Sequence, residues 1–491
     1  MAELAKTGPI IESGPVRHLS AGQVARLVDV SREARPYYRA LADAVRTLVM
    51  NGQIPVRVRM PAERHLAETL RVSRNTVTAA YDLLRERGFL ESRQGSGSWT
   101  ALPDPAVSSD NPWLAAYDDG LIQLHAAAPA APRALREAML EAVEDMPRYG
   151  MGNGYHPLGL PLLRERIAAY YTARGVATRP EQILVTTGSQ NAINLVLGVL
   201  IGAGDAVVVE SPTYPHAIDA ARLRGARLVP VGVSSEGWGT DLVSGAMRQS
   251  SARLAYLMPD FQNPTGALMD DAARAAVTEA ARRADTLLLI DEAWAELALD
   301  EVPGTAPMAA FGHDGRVVTI GSASKLWWGG LRIGWIRTTA ALARRMALHR
   351  ASKDIASPVL DQLVVARLFD RLDETRAERR RTLRASRDAL VAALREHLPA
   401  WEFAVPRGGG TLWIRLGTGS AVTLAEAAAC HGVRLAPGPW FGLEGTLEGH
   451  LRLPYTQPPQ VLREAVTRIA EACHRGRVGS VPLPDSLSPM V

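Results

Sequence analysis

GSASKLWWGGLRIGW, residues 321–335, decides how this chain is read. It holds Lys325, one of three lysines (Lys6, Lys325, Lys353) among 491 residues whose other basic side chains are arginine. A guanidinium is never deprotonated and forms no imine, whereas a lysine amine condenses with an aldehyde once its pKa is lowered. A lysine kept between two small-residue runs is therefore a candidate nucleophile. Ser322 and Ser324 offer hydroxyls beside it, and Arg332 follows seven residues later, placed to clamp a phosphate. The plain alternative is a glycine-rich turn carrying an ordinary surface lysine.

The segment resembles the lysine segment of fold-type I pyridoxal-phosphate (PLP) enzymes, the aminotransferase superfamily. Working outward, strands alternate with helices from Leu121 onward. Strand candidates are Ile183–Thr186, Ala206–Glu210, Leu254–Met258, Thr286–Asp291 and Arg316–Gly321, and helical patterns follow at Gln190–Ile201 and Asp271–Arg283. That alternation predicts an α/β domain with a largely parallel sheet, whose ligands sit at the carboxyl ends of the strands. Gly188, Ser189 and Gln190 open a helix, where backbone N–H groups and the dipole favour a phosphate. Tyr214 offers an aromatic face for a pyridine ring, and Asn263 an amide for the cofactor's 3′-oxygen. Asp291 ends a buried apolar strand, where desolvation raises its pKa unless a cation partners it. A pyridinium nitrogen is such a partner; a helix N-cap is the equal alternative.

In order these read Gly-Ser-Gln, Pro-Thr-Tyr, Asn-Pro-Thr-Gly, Asp-Glu-Ala, Ser-x-Ser-Lys and Gly-Leu-Arg-Ile-Gly. That is similar to the class I aminotransferase pattern, as is the helix entry Tyr155–Arg164. Arg452 in Leu-Arg-Leu resembles the position that holds a substrate α-carboxylate, a pairing suited to guanidinium. After about Asp361 one long charged helix is expected, its charges forming a solvated face, leading into a smaller α+β unit.

Net charge is +4, and residues 36–101 carry ten Arg against six acids, so the excess sits in one N-terminal segment. This is the footprint of a nucleic-acid-binding module. From Tyr38 a helical pattern runs to a stop at Asn51-Gly52; Pro61 leads into a second helix, and a turn at Arg71-Val72 leads to Ser73 as N-cap of a third, Arg74–Arg87. Gly88 suits the left-handed position after it. Phe89–Arg93 and Ser98–Thr100 then flank Gly95-Ser96-Gly97 as a wing. Arg74, Asn75 and Thr76 lie in the helix turn that enters a major groove: Arg reads guanine, Asn adenine, and Thr a thymine methyl or a phosphate. Arg64 and Arg93 are placed for phosphates, which give salt-dependent affinity. The segment resembles the GntR-family DNA-binding domain, with Ala62 in place of the usual capping Ser.

Two cysteines, Cys430 and Cys473, exclude a disulfide scaffold and fit a reducing cytoplasm. No run of about 18 apolar residues suggests a membrane span, no basic-then-apolar start suggests a secretory signal, and the histidines show no metal-ligand spacing. The expected organisation is multidomain: an extension at 1–35, in which Ser20–Val30 could be a short helix; an N-terminal all-α/winged helix-turn-helix at 36–101; a proline-rich linker at 102–119; an α/β fold-type I aminotransferase-like domain with a small C-terminal α+β subdomain at 120–475; and a tail at 476–491.

A GntR-type winged helix followed by an aminotransferase-like domain resembles the MocR subfamily of bacterial transcription regulators. The resemblance implies a cytoplasmic, nucleoid-associated homodimer with exchanged domains. It also implies PLP held as an internal aldimine on Lys325, setting affinity for a double-stranded DNA operator alone or with an amino acid or amine effector. Two departures pull apart. Where the subfamily writes His-Gln-Tyr/Phe-Pro, this chain has Phe261-Gln262-Asn263-Pro264, closer to working aminotransferases. Where aminotransferases place Tyr three residues after the pyridine Asp, it has Trp294, whose indole donates one N–H and accepts nothing. The alternatives are an aminotransferase with an accessory DNA-binding module, or a DNA-binding protein whose large domain only dimerises.

Overall fold

The computed structural model describes residues 18–28, 30, 35–50, 54, 59–93, 97–101, 120–302, 304–312, 315–417, 419–443 and 445–476. Residues 1–17, Gly95, the linker at 102–119 and most of the tail lie outside the described residues, and the Arg93 side chain is not described. Two compact units emerge, one within residues 1–115 and one within 116–491 apart from a short stretch at 444–448.

In the first unit, helices Tyr37–Met50, Glu63–Leu70 and Arg74–Glu86 enclose a core of Leu41, Val45, Leu66, Val77, Tyr81 and Leu84. Their apolar residues recur at three- and four-residue spacing, which puts them on one helix face. Helix Glu63–Leu70 begins at Ala62 with no side-chain cap and ends at Arg71 in the left-handed conformation (φ 56°). Helix Arg74–Glu86 is capped, Ser73 Oγ accepting from the Thr76 N–H at 3.1 Å, and Gly88 after it has φ 76°. Strands β1 (Leu90–Arg93) and β2 (Gly97–Thr100) pair antiparallel as the wing. Arg85 ties wing to helices, donating to Ser98 Oγ at 2.9 Å.

The second unit is built on strands β3 (Ile183–Thr186), β4 (Ala206–Ser211), β5 (Arg227–Ser234), β6 (Gly237–Trp238), β7 (Leu254–Leu257), β8 (Leu287–Asp291), β9 (Val317–Ser322) and β10 (Gly334–Arg337). They form one sheet in the order β3-β10-β9-β8-β7-β4-β5-β6, parallel except for β10 and β6. Successive residues enter opposite cores: Leu288 and Ile290 pack on one face, Leu289 on the other with Val318 and Ile320. A sheet covered on both faces needs such unbroken apolar runs. A three-stranded antiparallel sheet (Thr411–Arg415, Ala436–Pro437, His450–Pro454) with helix Pro459–Gly476 makes the smaller C-terminal part.

Two expectations need correction. The long helix after Asp361 is two helices, Val359–Phe369 and Leu372–His397, broken at Asp370-Arg371. Neither glycine nor proline marks the break. The first piece is apolar nearly all round and buried against helix Ala134–Tyr149, where Arg367 and Arg371 pair with Asp145 and Glu141; the second carries the charges. Nor are those charges simply solvated. Arg379 and Arg387 are buried, and Arg379 donates to the carbonyls of Ala130, Leu326 and Trp327.

Candidate functional site

Lys325 sits on a one-turn helix, Ala323–Leu326, that follows β9 directly. Ser322 Oγ caps that turn, accepting from the Ser324 N–H at 3.2 Å, so this serine shapes the lysine's backbone. Register pairs Ser322 with Gly334 across β9 and β10, so Lys325 and Arg332 belong to one closed loop. Lys325 Nζ donates to the Ala127 carbonyl at 2.7 Å and lies 5.0 Å from the Trp294 ring centroid. Burial pulls its ammonium down to about 8; Arg452 and Arg332 repel the charge, and Asp291 opposes them. The amine is thereby close to its neutral, nucleophilic form.

Asp291, at the carboxyl end of β8, is buried and accepts from the Tyr256 hydroxyl at 2.8 Å and the Ala293 N–H at 2.9 Å. Burial pushes its carboxyl up, against those two hydrogen bonds and Lys325. A cation facing it would reverse that shift. Tyr256 was not legible as a site residue; the only signal was a lone hydroxyl in an aliphatic strand.

Gly188 has φ 86° and precedes helix Ser189–Leu200, whose first-turn N–H groups have no intrahelical acceptor. The Arg332 guanidinium leans over it: a methyl on Gly188 would lie 2.5 Å from an Arg332 nitrogen. A methyl on Gly334 would strike the Gly188–Ser189 backbone at 2.6 Å, so glycine at both positions lets β10 run against this turn. Gln190 donates one N–H of its side-chain amide to the His216 carbonyl at 3.1 Å.

Tyr214 stands just ahead of helix Pro215–Arg222 without a side-chain cap bond, and burial, then Asp291, pushes its phenol upward while Arg332 and Arg452 act against this. These residues therefore converge on one place. Arg452 is buried, 4.6 Å from the Phe441 ring centroid, donating to Asn263 Oδ1 at 3.3 Å and to the His125 carbonyl. Its Nε has no partner, and burial draws the guanidinium down to about 9. No carboxylate of the described residues pairs with it. A buried arginine left this way suits an incoming carboxylate.

A buried acid, Glu210, that no sequence motif marks supports the turn before Asn263. Glu210 accepts from Trp238 Nε1 at 2.8 Å, the Met258 N–H at 3.0 Å and Gln262 Nε2 at 3.0 Å, and burial raises it to about 7. Gln262 in turn accepts from Thr265, so Glu210 shapes the turn that presents Asn263.

The residues fit PLP: an amine lowered to about 8, a buried carboxyl, Asp291, raised by burial and ready to face a cation, and an anion cradle closed by Arg332. When bound, PLP supplies an electron sink through its ring; the protein supplies position and charge.

In the first unit, Arg74 and Asn75 are exposed and unpaired among the described residues, while the Thr76 hydroxyl is taken up by Ser73 at 2.8 Å. Arg64 is exposed but bonded to Glu68 at 3.0 Å, a surface pair that a phosphate can displace at little cost. Gly97 has φ 88° and a methyl there would sit 3.2 Å from Arg59 Nε, so Arg59 joins the wing unforeseen.

Two family models match: aminotransferase class I and II over residues 116–469, and bacterial regulatory proteins of the gntR family over 37–99. The chain is 32% identical to a probable rhizopine catabolism regulatory protein, MocR, of Rhizobium meliloti, over 74% of this chain and 78% of that one. It is also 32% identical to 2-aminoadipate transaminase of Thermus thermophilus, over 70% of this chain and 85% of that one. The structure superposes on α-aminoadipate aminotransferase LysN from Thermus thermophilus, complexed with N-(5′-phosphopyridoxyl)-L-leucine, with a TM-score of 0.67 and 28% identity, covering 73% of this chain and 93% of that one. With a GntR module ahead of a class I and II aminotransferase domain, and MocR among its relatives, the chain belongs to the MocR subfamily.

Proposed function

We propose that this protein is a sequence-specific DNA-binding transcription regulator that binds PLP through Lys325 and whose operator affinity changes with PLP and a carboxylate-bearing amino compound. Arg74 and Asn75 carry this reading: both stand free at the start of a capped helix, where an enzyme has no use for them. On the same reading Gly188, Ser189, Gln190, Ser322, Ser324 and Arg332 hold the phosphate, Tyr214, Asn263 and Asp291 the ring, and Arg452 the effector's carboxylate. Ser73, Thr76, Arg64, Arg93, Gly95 and Gly97 shape or flank the DNA-contacting surface.

The regulator acts as a homodimer with exchanged domains. Supporting this, Met139, Leu140 and Val143 present an exposed apolar strip on helix Ala134–Tyr149, 45%, 60% and 58% exposed. Its place is the bacterial cytoplasm, on the nucleoid when DNA-bound; among the described residues no helix is long and apolar enough to cross a membrane.

The test is DNA binding by the purified full chain, with its own upstream region as probe, with and without PLP, at two salt concentrations. A PLP-dependent affinity change supports the regulator. Specific binding indifferent to PLP leaves a large domain that only dimerises. A second reading, a working aminotransferase, is favoured by the Asn263–Arg452 pair; transamination without specific DNA binding would establish it.

A further inference from the structure

Phe261 and Trp294, where the sequence departs from its relatives' pattern, both pack on Gly408-Gly409-Gly410. A methyl on Gly408 would lie 2.4 Å from the Phe261 ring, one on Gly409 3.0 Å from Phe261 Cβ, and one on Gly410 2.4 Å from the Trp294 ring. Gly408 and Gly410 leave no room for any side chain, so the run forms a bare backbone wall behind two large rings. Trp294 is 4% exposed, and its face lies toward Lys325, 5.0 Å from Nζ to the ring centroid.

We propose that the Trp294 indole is a positioning residue that provides a cation-binding face for the Lys325 nitrogen, set in place by Gly410. An indole attracts a cation through its ring quadrupole, most strongly of the aromatic side chains. A phenol at this position could also gain or lose a proton; an indole acts through its face and its single N–H alone. The charged groups that reach Lys325 are Arg452 and Arg332, which repel its proton, and Asp291, which retains it. Trp294 sides with Asp291 without adding a charge. The nitrogen keeps its proton to higher pH than it would beside an aliphatic side chain.

The experiment uses the full chain freed of cofactor, and its readout rests on the PLP reading above. The rate of PLP uptake, followed as cofactor absorbance, is measured against pH for wild type, Trp294→Phe and Trp294→Leu. The neutral amine is the reacting form, so the midpoint of each profile reports the Lys325 nitrogen. Wild type should give a midpoint near the value of about 8. Trp294→Leu should lower it by roughly half a pH unit, with Trp294→Phe between the two. A purely space-filling indole predicts the opposite sign, because a smaller side chain admits water to the ammonium. A midpoint in Trp294→Leu that is unchanged or raised, or a Phe variant indistinguishable from Leu, overturns the proposal. Gly410→Ala, which keeps the indole but displaces its ring, should also lower the midpoint and serves if the Leu variant does not fold. A wild type that takes up no PLP at any pH overturns the cofactor reading instead. The indole is then tested by acetic anhydride labelling of Lys325 across the same pH series, read by mass spectrometry, with the same expected order.

Discussion

Lys325 is held against its own charge, and that has a measurable cost in the cofactor-free protein. Its folded pKa of about 8 lies below the value of 10.5 for a free lysine. Between those values the unfolded chain binds more protons than the folded one, so stability rises with pH through that window. Lys325→Met should therefore stabilise the cofactor-free protein at pH 7 by on the order of 1–2 kcal/mol, the linkage gain being offset in part by loss of the hydrogen bond to the Ala127 carbonyl. The difference should vanish above about pH 10.5 in thermal melts taken at several pH values. Lys325→Ala, mixed with PLP, should show none of the visible band of lysine-bound cofactor while the Arg74 helix stays folded and operator affinity stays at its PLP-free value; a surviving band would mean another residue is the anchor. Arg452→Gln should weaken an amino acid effector by about tenfold to a hundredfold in calorimetry, while PLP is still taken up with the pH midpoint of uptake moved upward, since a charge that repels the Lys325 proton is gone. At this scale the sequence was most legible where chemistry is rare: a lysine among arginines, an Asp ending an apolar strand. It was silent on Tyr256, Glu210 and Arg379, since their roles depend on partners 28 to 249 residues away in the chain.

Elements were readable wherever periodicity and caps agreed. The five proposed buried strands form, each within a residue or so at its ends, because a sheet covered on both faces requires continuous apolar runs. Helix Asp271–Arg283 appears with its proposed bounds, capped by Asp270. The break at Asp370-Arg371 was not readable, since no local breaker marks it; beside it Arg367 and Arg371 pair with helix Ala134–Tyr149, a contact that only the tertiary structure shows. In the DNA-binding unit the Ser73 cap is the element to test. Ser73→Ala removes the acceptor of the Thr76 N–H and frees the Thr76 hydroxyl, so it should cost about 1 kcal/mol in denaturant unfolding. Arg74→Ala should relax specificity at one base position by about 1–3 kcal/mol, read by competition among operator variants, whereas Arg64→Ala should weaken all sequences alike.

For the whole molecule, ligand chemistry is expected in the unit within residues 116–491 and DNA chemistry in the unit within 1–115. On the proposed reading, communication between them would run through the homodimer. Leu140→Glu places a charge in the exposed apolar strip and should shift the full chain toward monomer in light scattering, with loss of tight operator binding. If the variant stays dimeric, the strip is not the interface.

The closed loop between Ser322 and Gly334 also bears on how such a chain can diverge. Its ends are fixed by strand register, and the turn at Gly188 is pressed against one of them. Point substitutions inside the loop can retune affinity or reactivity one residue at a time. An insertion or deletion there has no such gradation, because it moves Lys325 relative to Arg332 and both relative to the sheet. Length within this loop should thus be the property that lineages hold constant, even where they have exchanged amino acids around it.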